Sequence, residues 1–137
     1  MKIGDGVLAW NDLLYFVFDT INISIEFIMD AGDADLTAGE KGDMELPFDC
    51  TIQSVKLLAE SPGDAVIDIR KTNYATFPTS TSITGSALPT LTASQKSFDN
   101  TLTGWTIDFV KGDILRFSVI SASGIQRLTI SLIVLKK

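Results

Sequence analysis

The sequence predicts an all-β protein built from antiparallel strands. Apolar and polar residues alternate with a period of two in seven separate segments, which is typical of strands with one buried and one solvated face. Turn-forming residues lie between most of these segments, and no stretch has the 3.6-residue period of a long helix. Short antiparallel strands separated by turns at this spacing favour a β-sandwich or a barrel.

Each of the seven segments contains a set of apolar residues that is expected to face the core. In chain order these sets are Ile23, Ile25, Phe27 and Met29; Met44, Leu46 and Phe48; Val55, Leu57 and Ala59; Ala65, Ile67 and Ile69; Trp105, Ile107 and Phe109; Leu115, Phe117 and Val119; and Leu128, Ile130, Leu132 and Val134. The polar residues between them, such as Asp68 and Arg70, are expected to face solvent. Turns are predicted at residues 49–50, 61–64, 111–113 and 121–124.

The longest connection between alternating segments covers residues 71–102, KTNYATFPTSTSITGSALPTLTASQKSFDNTL. It has two prolines, many hydroxyl side chains and little hydrophobic periodicity. A connection of this length in a compact domain is usually either functional or disordered. Within it, Thr92 and Gln95 have the spacing of a capping box, which predicts a few helical residues through Ser97.

The residues before the first alternating segment predict an extended N-terminal arm at residues 1–20, followed by a sandwich domain at residues 21–137. Residues 13–18, LLYFVF, are apolar at every position, as in a strand that is buried on both faces. The run is too short to span a membrane, and Asp5 and Asp12 interrupt the pattern of a signal peptide. We expect either a central core strand or an arm that docks on a neighbouring chain. The candidate contact residues are Val7, Leu8, Trp10, Leu13, Leu14, Tyr15, Phe16 and Phe18.

The charge balance argues against several classes of partner. The chain of 137 residues has 17 acidic and 11 basic residues, a formal net charge of −6 and no histidine. It has no basic cluster that could displace counterions from nucleic acid or bind an anionic membrane. We therefore expect no nucleic-acid and no membrane partner. The single cysteine, Cys50, excludes an intrachain disulfide and is expected to be a buried core residue.

Catalytic and metal sites have little support in the sequence. Without histidine a Ser-His-Asp triad is impossible, and no Gly-rich phosphate loop follows a strand. The carboxylates of residues 30–43 could hold calcium or contain a glycosidase pair, but the EF-hand spacing is absent, and a solvated acidic hairpin explains them as well. These carboxylates belong to Asp30, Asp33, Asp35, Glu40 and Asp43. We predict that the protein is not an enzyme and that it has no catalytic residues, no metal, no cofactor and no small-molecule substrate.

Four aromatic residues could stack on sugars: Trp10, Tyr74, Phe77 and Trp105. Trp105 is in phase with the inward residues of its segment, which favours a core position. Tyr74 and Phe77, which is followed by Pro78, lie in the long connection. They are expected either to pin that connection to the sandwich or to contact a partner or a glycan.

Residues 23–137 resemble a β-sandwich domain found in virion proteins of tailed bacteriophages. The shared pattern combines a Lys-Gly turn, a Pro-Phe strand end, a late Gly-Asp turn and scattered apolar and polar positions, without a catalytic motif. It is matched by Lys41, Gly42, Pro47, Phe48, Thr51, Ile52, Gly63, Val66, Asp68, Lys71, Tyr74, Phe77, Pro78, Ser82, Ile83, Thr84, Pro89, Leu91, Lys96, Asp99, Leu102, Trp105, Gly112, Asp113, Leu115, Phe117, Val119, Arg127, Thr129 and Leu132.

The resemblance implies a β-sandwich of jelly-roll type in a virion structural protein. Such a protein would be made in the host cytoplasm, form a homotrimer and sit on the capsid surface as a cement or decoration protein. Residues 7–20 would cross the seams of the major capsid protein and stabilise the head. The alternative is a host-recognition module that binds a glycan at the tip of a tail or head fibre. Residues 71–102 would be an ordered excursion of the sandwich, pinned by Phe77, Pro78 and Pro89.

Overall fold

The structure, a computed structural model, describes residues 21–137 as an all-β domain. The strands are β1 (Ile21–Asp30), β2 (Gly39–Glu45), β3 (Cys50–Asn73), β4 (Thr81–Ser82), β5 (Thr90–Asp99), β6 (Asp108–Phe109), β7 (Asp113–Ser123) and β8 (Arg127–Lys136). All pairs between these strands are antiparallel, which confirms the predicted fold class. Nowhere in residues 21–137 is there a helix of the length and apolar character needed to cross a membrane. The predicted arm at residues 1–20 lies outside the described residues.

Long strands that run through both halves of one sheet organise the domain. β3 pairs with β8 along residues 50–59 and with β7 along residues 64–73. β1 and β2 lie outside β8 and β7, so the strand order is β1–β8–β3–β7–β2, and β5 pairs with β3 in both halves. We call β1, β8 and residues 50–59 of β3 the first half-sheet. The second half-sheet contains β2, β7 and residues 64–73 of β3.

The two half-sheets enclose one apolar core, as expected for a β-sandwich of jelly-roll type. The rings of Phe27 on β1 and Phe117 on β7 stack with their centroids 4.4 Å apart. Gly42 on β2 leaves room for Phe27, because a Cβ atom at residue 42 would lie 2.6 Å from Phe27 Cζ. All the apolar residues predicted to face inward are buried or pack partly against this core. Cys50 is buried as predicted, and this burial raises the pKa of its thiol.

The turn predicted at residues 61–64 is wrong, because β3 continues through these residues and bends there. The pairing of β3 with β5 shifts register between Leu58 and Gly63 and again between Gly63 and Ala65. Gly63 lies against the connection between β7 and β8. A Cβ atom at residue 63 would lie 2.6 Å from Ser123 O and 2.7 Å from Ile125 Cγ1. We call residues 61–64 the crease, since here the turn-forming residues bend a continuous strand instead of ending it.

Glu60 precedes the crease and holds the start of β8. Its carboxylate accepts hydrogen bonds from the backbone N–H groups of Arg127 at 2.9 Å and Gln126 at 3.1 Å. Hydrogen bonds to the ionised form favour that form. These hydrogen bonds lower the pKa of Glu60 to about 2, and the bond from the Arg127 N–H contributes more than the bond from the Gln126 N–H.

Replacing Glu60 by glutamine is expected to reduce the acid sensitivity of the fold. Because the pKa of Glu60 lies below the usual glutamate value of 4.5, its contribution to stability is complete above pH 4.5 and is lost as the pH falls towards about 2. The free energy of unfolding of Glu60→Gln should therefore change less with pH in this window than that of the wild type. Urea unfolding at several pH values checks this, and equal pH dependence in the two proteins would contradict it.

Three further local predictions are wrong. The turn predicted at residues 121–124 comes later, because β7 continues to Ser123 and β8 begins at Arg127. Thr92 and Gln95 begin no helix, because they belong to β5, where pairing with β3 determines the backbone conformation. The strand predicted around Trp105 is reduced to β6, and residues 103–107 are turns and irregular chain. Trp105 and Phe109 are nevertheless buried, as their inward phase predicted.

Candidate interaction surface

The excursion, residues 74–89 between β3 and β5, is ordered by hydrogen bonds to the second half-sheet. Ile83 N donates to Ile69 O and Ile67 N donates to Pro89 O, both at 2.9 Å. β4 lies within the excursion and pairs with Arg70 and Lys71 of β3. Residues 71–102 are ordered, as expected, but only 74–89 form an excursion, because 71–73 belong to β3 and 90–99 to β5. The excursion pairs with the edge of β3 through backbone hydrogen bonds.

Asp68 ties the excursion to β3. Its Oδ1 atom accepts hydrogen bonds from Ser82 Oγ at 2.6 Å and Thr84 Oγ1 at 2.8 Å, and its Oδ2 atom accepts one from Arg70 Nη1 at 3.1 Å. The alternation predicts a solvated Asp68, but this residue is only 6% exposed because the excursion covers it. The side chain of Thr84 is completely buried, so its hydroxyl group depends on Asp68 and Ser82 for partners.

Arg116 on β7 holds the beginning of the excursion. Its Nη1 atom donates to Pro78 O at 2.9 Å, and its guanidinium group lies 4.9 Å from the centroid of the Phe77 ring. Nη2 lies 3.0 Å from Glu40 Oε1, and Nε lies 2.6 Å from Asp43 Oδ1 in a charge pair without hydrogen-bond geometry. Phe77 is thus pinned to β7 while part of its ring stays exposed.

The end of the excursion packs against the irregular chain around Trp105. The indole Nε1 of Trp105 donates to Ala87 O at 2.9 Å, and Thr106 N donates to Ile83 O at 2.8 Å. A Cβ atom at Gly85 would lie 2.7 Å from Gly104 O, so the two backbones approach closely. The Trp105 side chain is therefore part of the core and also binds the excursion through its indole N–H group.

Tyr74, at the start of the excursion, is 91% exposed, so it does not anchor the excursion to the sandwich. Its chain neighbour Asn73 lines an open groove of about 390 Å³ in which hydroxyl groups predominate. The groove is lined by Lys71, Thr72, Asn73, Thr76, Thr79, Ser80, Thr81, Ser82, Ile83 and Thr106. This combination of an exposed aromatic ring and many hydroxyl groups offers stacking and hydrogen bonding to a polar ligand.

Four of the five carboxylates of residues 30–43 have structural partners in the described part of the chain. Asp30 Oδ1 accepts from Gly32 N at 2.8 Å, and Asp35 Oδ2 accepts from Gly124 N at 3.3 Å. Glu40 and Asp43 pair with Arg116. Residues 21–137 contain no group of three or more His, Cys, Asp or Glu side chains placed to hold a metal ion.

Sequence reasoning located part of this surface. It selected Tyr74, Phe77 and Pro78, which the structure places in one ordered excursion. It did not select Asp68 or Arg116, although the resemblance pattern includes Asp68, Ser82 and Thr84 and could have suggested that they belong together. The candidate arm residues Val7, Leu8, Trp10, Leu13, Leu14, Tyr15, Phe16 and Phe18 lie outside the described residues.

The sandwich and its excursion define the protein as an antiparallel β-domain with a fixed surface loop. No family model and no curated protein matches the chain. Among solved structures, the chain is similar to the SPBc2 prophage-derived protein YomS, with 14% identity and a TM-score of 0.40 over 85% of this chain and 97% of that one. It is also similar to a chain of infectious bursal disease virus, Gt strain, with 11% identity and a TM-score of 0.37. That match covers 85% of this chain but 33% of the viral chain.

Proposed function

We propose that the protein is a non-enzymatic structural protein of a virus particle, bound to the capsid surface as a cement or decoration protein. The observation that supports this most is where the residues of the phage-virion resemblance lie. Asp68, Ser82, Thr84, Pro78 and Trp105 all belong to that pattern, and each makes a contact that fixes the excursion. The resemblance therefore extends beyond a general β pattern to the residues that build this particular loop.

The proposed mechanism is mechanical. Residues 7–20 bury apolar side chains against the major capsid protein, at roughly 25 cal/mol per Å² of apolar surface removed from water. A homotrimer presents three such contacts, and each contact raises the effective concentration of the others. Each assembly would thereby tie neighbouring capsid subunits together and oppose their separation.

Immunogold labelling tests the location of the protein. Antibody raised against the full chain is applied to intact particles produced by the organism that encodes it. Label distributed over the head is expected. Label confined to a tail end or to fibres would replace the cement proposal by the alternative below, and particles without label would overturn the virion proposal.

The second candidate is a host-recognition module that binds a glycan, and exposed Tyr74, whose chain neighbour Asn73 lines the hydroxyl-rich groove, is the observation that favours it. Replacing Tyr74 by alanine is expected to change the free energy of unfolding by less than about 0.5 kcal/mol, because the side chain is exposed. A cement protein with this substitution should bind particles as the wild type does, whereas a glycan-binding module should lose binding to host cells. Thr92→Ala, an exposed substitution on β5, is the control for both assays.

A further inference from the structure

Within residues 21–137, the outer edge of β1 is unpaired and regular, so it could accept another strand. β1 pairs with β8 through ten consecutive residue pairs, from Ile21 with Lys136 to Asp30 with Arg127, without a register shift. Among residues 21–137, β8 is its only strand partner. The backbone N–H and C=O groups on the other side of β1 are therefore arranged to pair with an added strand.

The other edges of the sheet carry features that discourage such pairing. β2 is shorter, contains Gly39 and Gly42, and has a register shift between Glu40 and Gly42. The pairing of β5 shifts register twice, and its residues include Lys96. Bulges and lysines protect natural edge strands from added strands. β1 contains no glycine, proline or lysine, and Glu26 is the one charged residue in its interior.

The core is incompletely covered beside this edge. Ile23, Ile25 and Phe27 of β1 face inward but remain partly exposed, as does Met44 on the edge strand β2. On the outer face of β1, Ile28 is 58% exposed. A strand added here would cover apolar side chains on the inner face and would lie beside Ile28 on the outer face. Such a strand needs apolar residues on both of its faces.

We propose that residues 13–18 of a second copy of the chain add to β1 as this strand. The segment LLYFVF is apolar at all six positions, so alternate side chains would face the inner row and the remaining ones would lie on the outer face. Its extended length is about 20 Å, which fits within the ten residues of β1. The inference rests on the proposed self-assembly and narrows the proposed capsid contact: residues 13–18 bind a second copy, and Val7, Leu8 and Trp10 are the arm residues left to contact the capsid.

The connection to β1 favours exchange between copies over a hairpin within one chain. A tight hairpin between residues 13–18 and β1 would use Asp19 and Thr20 as its two-residue loop. The two-residue loops that suit hairpins require positive φ angles, at both residues in type I′ and at the first residue in type II′, where glycine is the usual residue. Thr20 is β-branched and strongly disfavours positive φ, and Asp19 replaces the glycine of a type II′ turn. A two-residue hairpin within one chain is therefore disfavoured, which favours pairing of residues 13–18 with the β1 edge of a neighbouring copy.

Sedimentation velocity and hydrogen exchange on the purified full chain test this inference. The arm variant carries Leu14→Pro and Phe16→Pro, which remove backbone donors, and Ile3→Pro with Asp5→Pro is its matched control. The edge variant carries Ser24→Lys and Ile28→Lys on the exposed face of β1, with Thr92→Lys on β5 as its control. We expect wild type and both controls to sediment as an assembly with protected β1 amides. The arm and edge variants should sediment at the single-chain mass, with faster exchange in β1 and unchanged protection in β3.

Other results overturn the inference. A wild-type chain that sediments at the single-chain mass would show that residues 13–18 do not pair between copies, even if β1 is protected. An assembly that survives both the arm and the edge variants would place the interface elsewhere. Neither measurement uses a virus particle, so failure of this inference and failure of the virion proposal are distinguishable.

Discussion

Replacing Asp68 by alanine is expected to lower the free energy of unfolding by about 3 kcal/mol, because a buried carboxylate with three hydrogen bonds is removed. The substitution leaves the hydroxyl of Thr84 buried without its shorter contact, at 2.8 Å, and removes the ion pair of Arg70. Hydrogen exchange should locate the damage in the excursion, around Ser82 and Ile83. Urea unfolding measures the loss of free energy of unfolding, and hydrogen exchange shows which residues lose protection.

Asp108→Ala is a matched control for this experiment. Asp108 also accepts a hydroxyl hydrogen bond, from Thr51 at 2.7 Å, and pairs with a cation, Lys137, at 3.0 Å. Its side chain is 70% exposed, so water replaces these partners and the loss of stability should be much smaller. If the two substitutions cost the same, burial beneath the excursion is not what makes Asp68 important.

Replacing Gly63 by alanine is expected to cost about 3 kcal/mol, since the added methyl group would overlap atoms at the crease. The nearest of these, at 2.6 Å, is the backbone oxygen of Ser123, which cannot move without disturbing the end of β7. Ile125 Cγ1 at 2.7 Å adds a second overlap with a buried side chain. Chemical denaturation of the variant measures the loss directly.

Gly32→Ala separates this steric effect from the general effect of replacing a glycine. Gly32 has a φ of +71° and no atom within 4 Å of the added Cβ position, so only backbone strain of about 1 kcal/mol is expected. Gly63→Ala should therefore be the more destabilising of the two, although Gly32 has the conformation that more strictly requires glycine. The opposite order would show that the crease can relax around a methyl group.

The strand pattern could be predicted from the sequence because burial on one face leaves a period of two in each strand. The same reasoning placed Asp68 on the outer face correctly. It could not predict that Asp68 is covered, because its partners Ser82 and Thr84 lie more than ten residues further along the chain. Sequence separation of this kind is also the reason why Arg116 and Pro78 were not paired.

The errors at the crease and in β5 have a common physical cause. Pro62 and Gly63 have turn propensity, and Thr92 with Gln95 has the spacing of a helix start, but both are local signals. Pairing between strands distant in sequence overrides them: β3 continues through the crease, and β5 follows β3 as an irregular strand. Tyr74 and Phe77 were treated alike for the same reason, since only the position of Arg116 distinguishes the pinned ring from the free one.

Because β3 runs through both half-sheets, we expect the two half-sheets to unfold together. Neither layer has a complete set of strands of its own, because residues 50–59 and 64–73 belong to one strand. Loss of either layer exposes the inner face of the other, so a stable half-folded intermediate has no core to sustain it. Amide protons in the two parts of β3 should consequently share one global opening event, and a protease that cuts at the crease should destroy the domain instead of releasing two modules.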